Sequence, residues 1–160
     1  MTPGNAPGLN DGAAFLLLAS RAAAKALGAP ILAQILDYVQ IADGPTAGAY
    51  TPAIAISRLL DRRHRKVDDL RLIEINEAFA ATPLVSTLML ADKDPRAADL
   101  LRDRTNLHGG AVALGHPLGA SGARITMTLI NGLRRDGGGL GAAAICGGFG
   151  QGDGLLLEVG

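Results

Sequence analysis

Short apolar runs alternate with longer segments of mixed polarity along the 160 residues of the chain. The short runs are typical of buried strands, and the segments with a helical period are typical of helices that cover a sheet. This pattern predicts strands over residues 13–18, 31–41, 70–75, 141–146 and 154–159, and helices over residues 20–27, 53–63, 77–91, 96–102 and 120–135. Such alternation indicates a layered α/β domain. A short loop separates the last two strands, so we expect them to be antiparallel and the sheet to be mixed.

The apolar run from Ala13 to Ala19 also has the composition of a signal-peptide core. Asp11 precedes it and no lysine or arginine occurs before Arg21, so the positively charged region that begins a signal peptide is missing. The seven residues of the run are also far fewer than a membrane span requires. A buried strand over residues 13–18 is therefore the better interpretation.

Composition and charge narrow the classes of partner. The formal net charge is +0 and 48% of the residues are hydrophobic, so there is no electrostatic argument for nucleic acid or an anionic membrane as the main partner. Acidic residues dilute the basic cluster over residues 58–66, which is typical of a solvated helix end. The single cysteine excludes an internal disulfide and is compatible with the cytoplasm.

The segment over residues 109–125 holds the first candidate for chemistry, His116. Pro117 disfavours helical angles at His116, and Gly115 permits a tight turn or the close approach of a ligand. An imidazole on such a loop, at the entrance of a helix, suits proton transfer near neutral pH. The alternative is a loop in which the histidine only satisfies local hydrogen bonds.

The lone cysteine, Cys146, ends a predicted strand and opens a glycine-rich loop that includes Gly147, Gly148 and Gly150. Backbone N–H groups in such a loop can point at a ligand. A thiol and an imidazole on separate loops at strand ends form a candidate acid–base pair. The alternative is a cysteine that packs as a small buried hydrophobe.

Asn76 and Glu77 follow the predicted strand over residues 70–75. Asparagine is a favoured N-cap, and a glutamate in the first turn complements the helix dipole. Capping of the predicted helix over residues 77–91 therefore explains both residues without any chemistry.

Together these segments resemble the thiolase family. Its members carry an Asn-Glu-Ala-Phe segment, a Gly-His-Pro loop followed by a glycine-rich helix start, and a Cys-x-Gly-Gly-like terminal loop, in that order. Here they occupy residues 76–79, 115–117 and 146–148, and residues 4–14 are similar to a fourth family segment. The resemblance implies a thiolase-like C-terminal domain over residues 29–160, a mixed sheet with helices on both faces. Residues 1–28 would be a remnant of the N-terminal domain, to whose sheet the run over residues 13–18 would belong.

The resemblance also implies an activity, acyl-CoA C-acyl transfer by Claisen condensation or by thiolytic cleavage of a 3-ketoacyl-CoA. Coenzyme A would be a substrate, with no cofactor and no metal. His116 would deprotonate the nucleophilic cysteine and donate to the thioester oxygen. Cys146 would exchange protons with the substrate α-carbon and the leaving group, which requires a thiol pKa near neutrality. Asn76 would hold a water of the first oxyanion hole, the Gly148 N–H would contribute to the second, and Phe79 would line the acyl pocket.

Thiolases take their nucleophile from a cysteine in the N-terminal half, and Cys146 matches the other cysteine. The chain is therefore expected to act as an acyltransferase half, either in a homo-oligomer or with a complementary thiolase chain that supplies the nucleophile. The alternatives are that it is a fragment, or a truncated relative that serves as a non-catalytic interaction module. A ketoacyl-synthase-like condensing enzyme has a similar fold but does not use a second cysteine near its C-terminus.

Two residues depart from the family pattern. Pro7 stands where many thiolases have a serine whose hydroxyl helps to hold the pantetheine arm, and proline cannot supply that donor. Phe149 replaces a glycine that is common in the terminal loop, so we expect a changed backbone path or a narrower pocket.

Overall fold

One mixed sheet of four strands organises the chain, of which the computed structural model describes residues 2–160. The sheet has the order β1-β4-β3-β2. Its strands are β1 (Gln34–Ala42), β2 (Leu70–Ile75), β3 (Gly139–Cys146) and β4 (Gln151–Val159). β2 and β3 are parallel, whereas β4 is antiparallel to both of its neighbours. The predicted mixed sheet, with an antiparallel pair at the end of the chain, is confirmed.

Helices connect and cover these strands. They are α1 (Arg21–Ala26), α2 (Thr51–Arg62), α3 (Ala81–Leu90), α4 (Pro95–Arg102), α5 (Ala111–Leu114) and α6 (Ser121–Arg135). α1 begins where the sequence predicts, because the Ser20 hydroxyl oxygen accepts a hydrogen bond from the Ala23 N–H at 3.1 Å. Within residues 2–160, no helix combines the length and the apolar character that crossing a membrane requires.

The two longest helices lie on opposite faces of the sheet, as expected. The cluster on the α2 face contains Val39, Ile41, Ala55, Ile56, Leu59, Leu60, Leu70, Ile73, Ile75, Leu101, Leu140, Ala142, Ala144 and Leu156. The cluster on the α6 face is smaller and contains Leu72, Ile125, Leu129, Leu133, Ala143, Leu157 and Val159. In β2, Leu72 belongs to the α6 cluster and the next residue, Ile73, to the α2 cluster, because successive side chains of a strand point to opposite faces.

Small residues allow both helices to approach the sheet closely. A Cβ on Gly154 of β4 would lie 3.0 Å from the Ala55 Cβ of α2, and a Cβ on Gly141 of β3 would lie 2.8 Å from Leu129 of α6. Larger side chains at these glycines would push the helices outward. The close approach holds the α6 start near the C-terminal ends of β2 and β3.

The predicted strand over residues 13–18 does not form, and this prediction is wrong for the chain as it stands. The segment pairs with no strand among residues 2–160, and Phe15 is 88% exposed. A strand is stable only when its backbone groups and one face find partners. The apolar composition was identified correctly, but it indicates a strand only where a neighbouring strand is present.

Candidate active site

The C-terminal ends of β2 and β3 bring two predicted site residues to the same edge of the sheet. Asn76 directly follows β2, and its backbone N–H donates to the Ala144 carbonyl of β3 at 2.9 Å. Cys146 ends β3 two residues further along the chain. Because the two strands are parallel, Asn76 and Cys146 lie near one another at the edge where open α/β sheets commonly bind ligands.

The Gly-His-Pro loop carries His116 to the same edge. Gly115 adopts a left-handed conformation with φ of 96°, which glycine allows without strain. The His116 backbone N–H donates to the Gly8 carbonyl at 3.0 Å, so the N-terminal segment holds the loop. The His116 side chain is only 8% exposed, and its Nε2 lies 3.3 Å from Nδ2 of Asn76.

Ser121 determines which nitrogen of His116 carries the proton. Its Oγ lies 2.6 Å from His116 Nδ1 and 3.1 Å from the Pro117 carbonyl oxygen. The hydroxyl has one hydrogen, and we assign it to the Pro117 carbonyl oxygen, which can only accept; Oγ then accepts from Nδ1–H. Nε2 then keeps its lone pair and accepts from the Asn76 amide. The arrangement presents the basic nitrogen of the imidazole towards Asn76.

The charge state of His116 agrees with this tautomer. Burial of the ring, assisted by the positive charge of Arg124, lowers the pKa of His116 below its ordinary value of 6.5. The imidazole is therefore neutral at pH 7. A neutral imidazole with an unprotonated Nε2 has the form required of a general base.

Cys146 is half-buried, and no hydrogen bond joins its thiol to His116 within the described part of the chain. Burial raises the pKa of the Cys146 thiol above 9.0, and this outweighs the opposite effect of a hydrogen bond to backbone. The expected pKa near neutrality is thus not met in this chain. The reason is that desolvation of the thiol has a larger effect than the hydrogen bond to backbone that opposes it.

The glycine-rich loop after Cys146 forms a 3-10 turn over Gly148–Gly150. Phe149 occupies the left-handed region, with φ of 60° and ψ of 32°, and its side chain is 89% exposed. The bulky residue therefore adopts a conformation that glycine favours, with the phenyl ring outside the core. Gly148 is exposed, and the loop closes through a 2.8 Å hydrogen bond from the Gly147 N–H to the Gln151 carbonyl.

The capping interpretation of Asn76 and Glu77 is wrong. α3 begins at Ala81, and the residue at its N-cap is Ala80. The Asn76 side chain is fully buried against His116, and the Glu77 carboxylate accepts from the backbone N–H of Val112 at 2.9 Å. Glu77 therefore holds the segment that leads into the Gly-His-Pro loop.

Phe79 lies between β2 and α3 and is 37% exposed. It belongs to neither of the two buried clusters of the described chain. The structure thus brings Asn76, His116 and Cys146 to one edge of the sheet, while Gly148 and Phe79 lie on segments that border it.

Three polar residues of this region were not identified from the sequence: Glu74, Ser121 and Arg124. Glu74 is a buried carboxyl group on β2, and burial raises its pKa to about 7, although the charge of Arg124 acts in the opposite direction. Arg124 donates from Nη2 to Oδ1 of Asn76 at 3.3 Å. A charged residue between two isoleucines of a buried strand is the sequence signal for Glu74.

Known proteins match nearly the whole chain. The thiolase C-terminal domain family model matches residues 29–159. The 3-ketoacyl-CoA thiolase of Aliivibrio fischeri is 41% identical over 158 residues, which is 99% of this chain and 40% of that protein. The acetyl-CoA acetyltransferase of Pseudomonas aeruginosa is 44% identical over 157 residues, covering 98% of this chain and 38% of that protein. The chain spans about two fifths of the length of these relatives.

Solved structures agree with this match. The Bacillus anthracis acetyl-CoA acetyltransferase has a TM-score of 0.88 and 42% identity, covering 99% of this chain and 38% of that one. A thiolase from Ascaris suum, solved in complex with coenzyme A, has a TM-score of 0.82 and 36% identity, covering 99% and 39%. The family model, the sequence identities and the shared fold all show that this chain belongs to the thiolase family.

Proposed function

We propose that this chain supplies the His116, Asn76 and Cys146 part of an acyl-CoA C-acyltransferase site. The reaction is Claisen condensation of acyl-CoA or thiolytic cleavage of a 3-ketoacyl-CoA. The observation that carries the proposal is the hydrogen bond between Asn76 and a neutral His116, at the edge where Cys146 ends β3.

His116 acts as the general base for the nucleophile. Its Nε2 lone pair accepts the thiol proton of a cysteine that lies outside these 160 residues, and the resulting thiolate attacks the thioester carbonyl. The imidazolium keeps this proton on Nε2 and donates to the thioester oxygen of the second acyl-CoA. Ser121 supports this role, because it accepts from Nδ1–H and keeps Nε2 free for the proton.

Cys146 gives its thiol proton to the coenzyme A thiolate that leaves when the acyl group is transferred. The Cys146 thiolate then accepts the α-proton of the second acyl-CoA, and in the reverse direction it returns that proton to the α-carbon. Because burial raises its pKa, the thiolate must form within the assembled site, where the acyl-CoA and the missing half lie against it. The enolate oxygen formed by proton removal accepts from the His116 imidazolium and from a water that Asn76 holds. The Gly148 N–H serves the oxyanion next to the nucleophile, and Phe79 lines the acyl pocket.

Coenzyme A is a substrate in this proposal, and the assembly is a homo-oligomer or a pair with a complementary thiolase chain in the cytoplasm. The family model begins its match at residue 29, which supports a C-terminal domain over residues 29–160 and an N-terminal remnant over residues 1–28. The exposed apolar run over residues 13–18 supports a missing neighbour. The same run also favours the second candidate, a non-catalytic module that binds another thiolase chain.

A chimera tests the proposal. This chain replaces the matching 38% of the Bacillus anthracis acetyl-CoA acetyltransferase, whose remaining part supplies the rest of the fold. We expect the chimera to cleave acetoacetyl-CoA and the 160-residue chain alone to show no turnover. His116→Ala lowers kcat/KM of the chimera at least about 100-fold, whereas His108→Ala, an exposed histidine, leaves it unchanged.

Three results would contradict the proposal. An active chimera that is insensitive to His116→Ala removes the base assignment. Turnover by the isolated chain that is lost on Cys146→Ala makes Cys146 the nucleophile. A chimera that folds but stays inactive favours the non-catalytic module.

A further inference from the structure

Arg124 lies at the N-terminal part of α6 and reaches back to the edge of the sheet. Its Nη2 donates to Oδ1 of Asn76 at 3.3 Å, while Nδ2 of the same amide faces His116. The Nη1 atom of Arg124 is buried and has no hydrogen-bond partner among residues 2–160. A buried guanidinium N–H without an acceptor costs free energy, so packing alone does not explain an arginine at this position.

The Asn76 amide can fit its cavity in two orientations of similar shape. In one, Nδ2 donates to the lone pair of His116 Nε2. In the other, Oδ1 faces that lone pair, and two acceptors oppose each other. Arginine is a donor only, so the contact from Nη2 is compatible with the first orientation alone.

We infer that Arg124 is a positioning residue, which fixes the Asn76 amide in the orientation that presents Nδ2 to His116. The donors then run in one direction, from Arg124 to Asn76, from Asn76 to His116 and from His116 to Ser121. The inference rests on the proposed function only for the role of His116 Nε2 as a general base. The geometry itself does not depend on any reaction.

The charges around the ring agree with this assignment. Arg124 on α6 faces His116, and its charge adds to burial in lowering the pKa of the ring. Glu74 on β2 lies within the influence of the same guanidinium, and Glu77 acts on Glu74 from the following loop. Cys146 is the titratable group at the end of β3. Arg124 therefore orients the amide and also disfavours a second proton on His116.

Nuclear magnetic resonance of the free chain tests this inference without substrate or activity. The measurements are hydrogen exchange of the Asn76 side-chain amide and a ¹⁵N titration of the His116 ring. In Arg124→Met we expect the amide to exchange at least about tenfold faster, because a hydrogen bond to a charged donor is lost. We also expect the pKa of His116 to rise, because a nearby positive charge is removed.

Two further variants separate positioning from structure. Arg135→Met changes an exposed arginine at the other end of α6. It should alter neither the exchange of the Asn76 amide nor the pKa of His116. Arg124→Lys keeps the charge, so the pKa of His116 should stay low even if the shorter donor leaves the amide less protected. Unchanged amide exchange in Arg124→Met, with the backbone amides of α6 still protected, overturns the inference. An inactive chimera would instead count against the proposed function, since the resonance experiment requires no catalysis.

Discussion

The two faces of β2 are both buried, yet they carry different chemistry. Ile73 and Ile75 point into the aliphatic cluster under α2, where every member is apolar. Leu72, Glu74 and Asn76 alternate with them and point towards α6. The α6 face begins with leucine and becomes polar towards the C-terminal end of the strand. Along this buried face, the change from apolar to polar residues marks the position where the hydrophobic core ends and the candidate site begins.

Stability alone does not require polar residues on a strand that is buried on both faces. A strand that is covered on both faces usually reads as a continuous apolar run, since burying a polar group is costly. On the α6 face that cost is offset by a hydrogen-bond network for Asn76, whereas Glu74 is accommodated by a shift of its pKa. The polar residues are therefore better explained by the chemistry at the strand end than by packing.

The largest expected effect on stability comes from a substitution in the aliphatic cluster on the α2 face. Leu59→Ala removes a fully buried side chain from the aliphatic cluster. We expect a loss of about 3–4 kcal/mol in the free energy of unfolding, as for other buried leucines. Urea denaturation measures it, and a loss below about 1 kcal/mol would show that the α2 face is not the main source of stability.

The second prediction concerns the pH dependence that Glu74 confers on the α6 face. Its pKa in the folded chain is about 7, above the ordinary 4.5, so the folded state holds a proton that the unfolded state releases between these values. The stabilisation is complete below pH 4.5 and is lost as the pH rises through about 7. Relative to Glu74→Gln, the wild-type free energy of unfolding should fall by roughly 3 kcal/mol over this window.

Comparison with Glu74→Gln isolates this effect, because His116 titrates in both proteins and cancels. Urea denaturation of the two proteins at several pH values between 4.5 and about 8 gives the difference curve. A flat difference would mean that the carboxyl group ionises freely in the folded chain. In that case the α6 face would not be a low-dielectric environment.

The third prediction sharpens the comparison within the polar network. Ser121→Ala removes the acceptor for Nδ1–H of His116, and we expect a loss of about 1–2 kcal/mol in the free energy of unfolding. The ¹⁵N shifts of the ring should also show a mixture of the two tautomers. Ser121→Thr keeps a hydroxyl and should retain the Nδ1–H form. A single Nδ1–H tautomer in Ser121→Ala would show that Ser121 does not determine the tautomer of His116.

The smallest effect is expected outside both faces, in the loop after Cys146. Phe149 holds a left-handed conformation with an exposed side chain, so Phe149→Gly relieves strain but increases the freedom of the unfolded chain. We expect a net gain of at most about 1 kcal/mol in the free energy of unfolding. A clear loss in thermal or urea denaturation would show that the phenyl ring stabilises the loop.

The sequence predicted the elements of the sheet well where local pattern and packing agree. β2 occupies Leu70–Ile75 as predicted, because its apolar run is also its buried length. The segment over residues 13–18 has a similar pattern but forms no strand, because pairing depends on a neighbour rather than on the run itself. Local pattern is therefore sufficient only for segments whose partners are present.

The candidate site, like the sheet, was only partly predictable from the sequence. Motifs predicted Asn76, His116 and Cys146. Parallel pairing of β2 and β3 brings Asn76 and Cys146 to one edge, and the Gly-His-Pro loop brings His116 to Asn76. Ser121 and Arg124 could not be assigned from motifs, because their roles depend on how α6 folds back onto that edge. The raised pKa of Cys146 was also missed, since desolvation is set by neighbours distant in sequence.

The central claim is that Cys146 is a proton-transfer group beside His116, with the nucleophile elsewhere. The most direct test is the exchange of the α-protons of acetyl-CoA for deuterium in heavy water, catalysed by the chimera. A Cys146→Ala substitution should lower the rate of exchange at least about 100-fold, as expected when a general base is lost. Full exchange in the Cys146→Ala chimera would contradict the account.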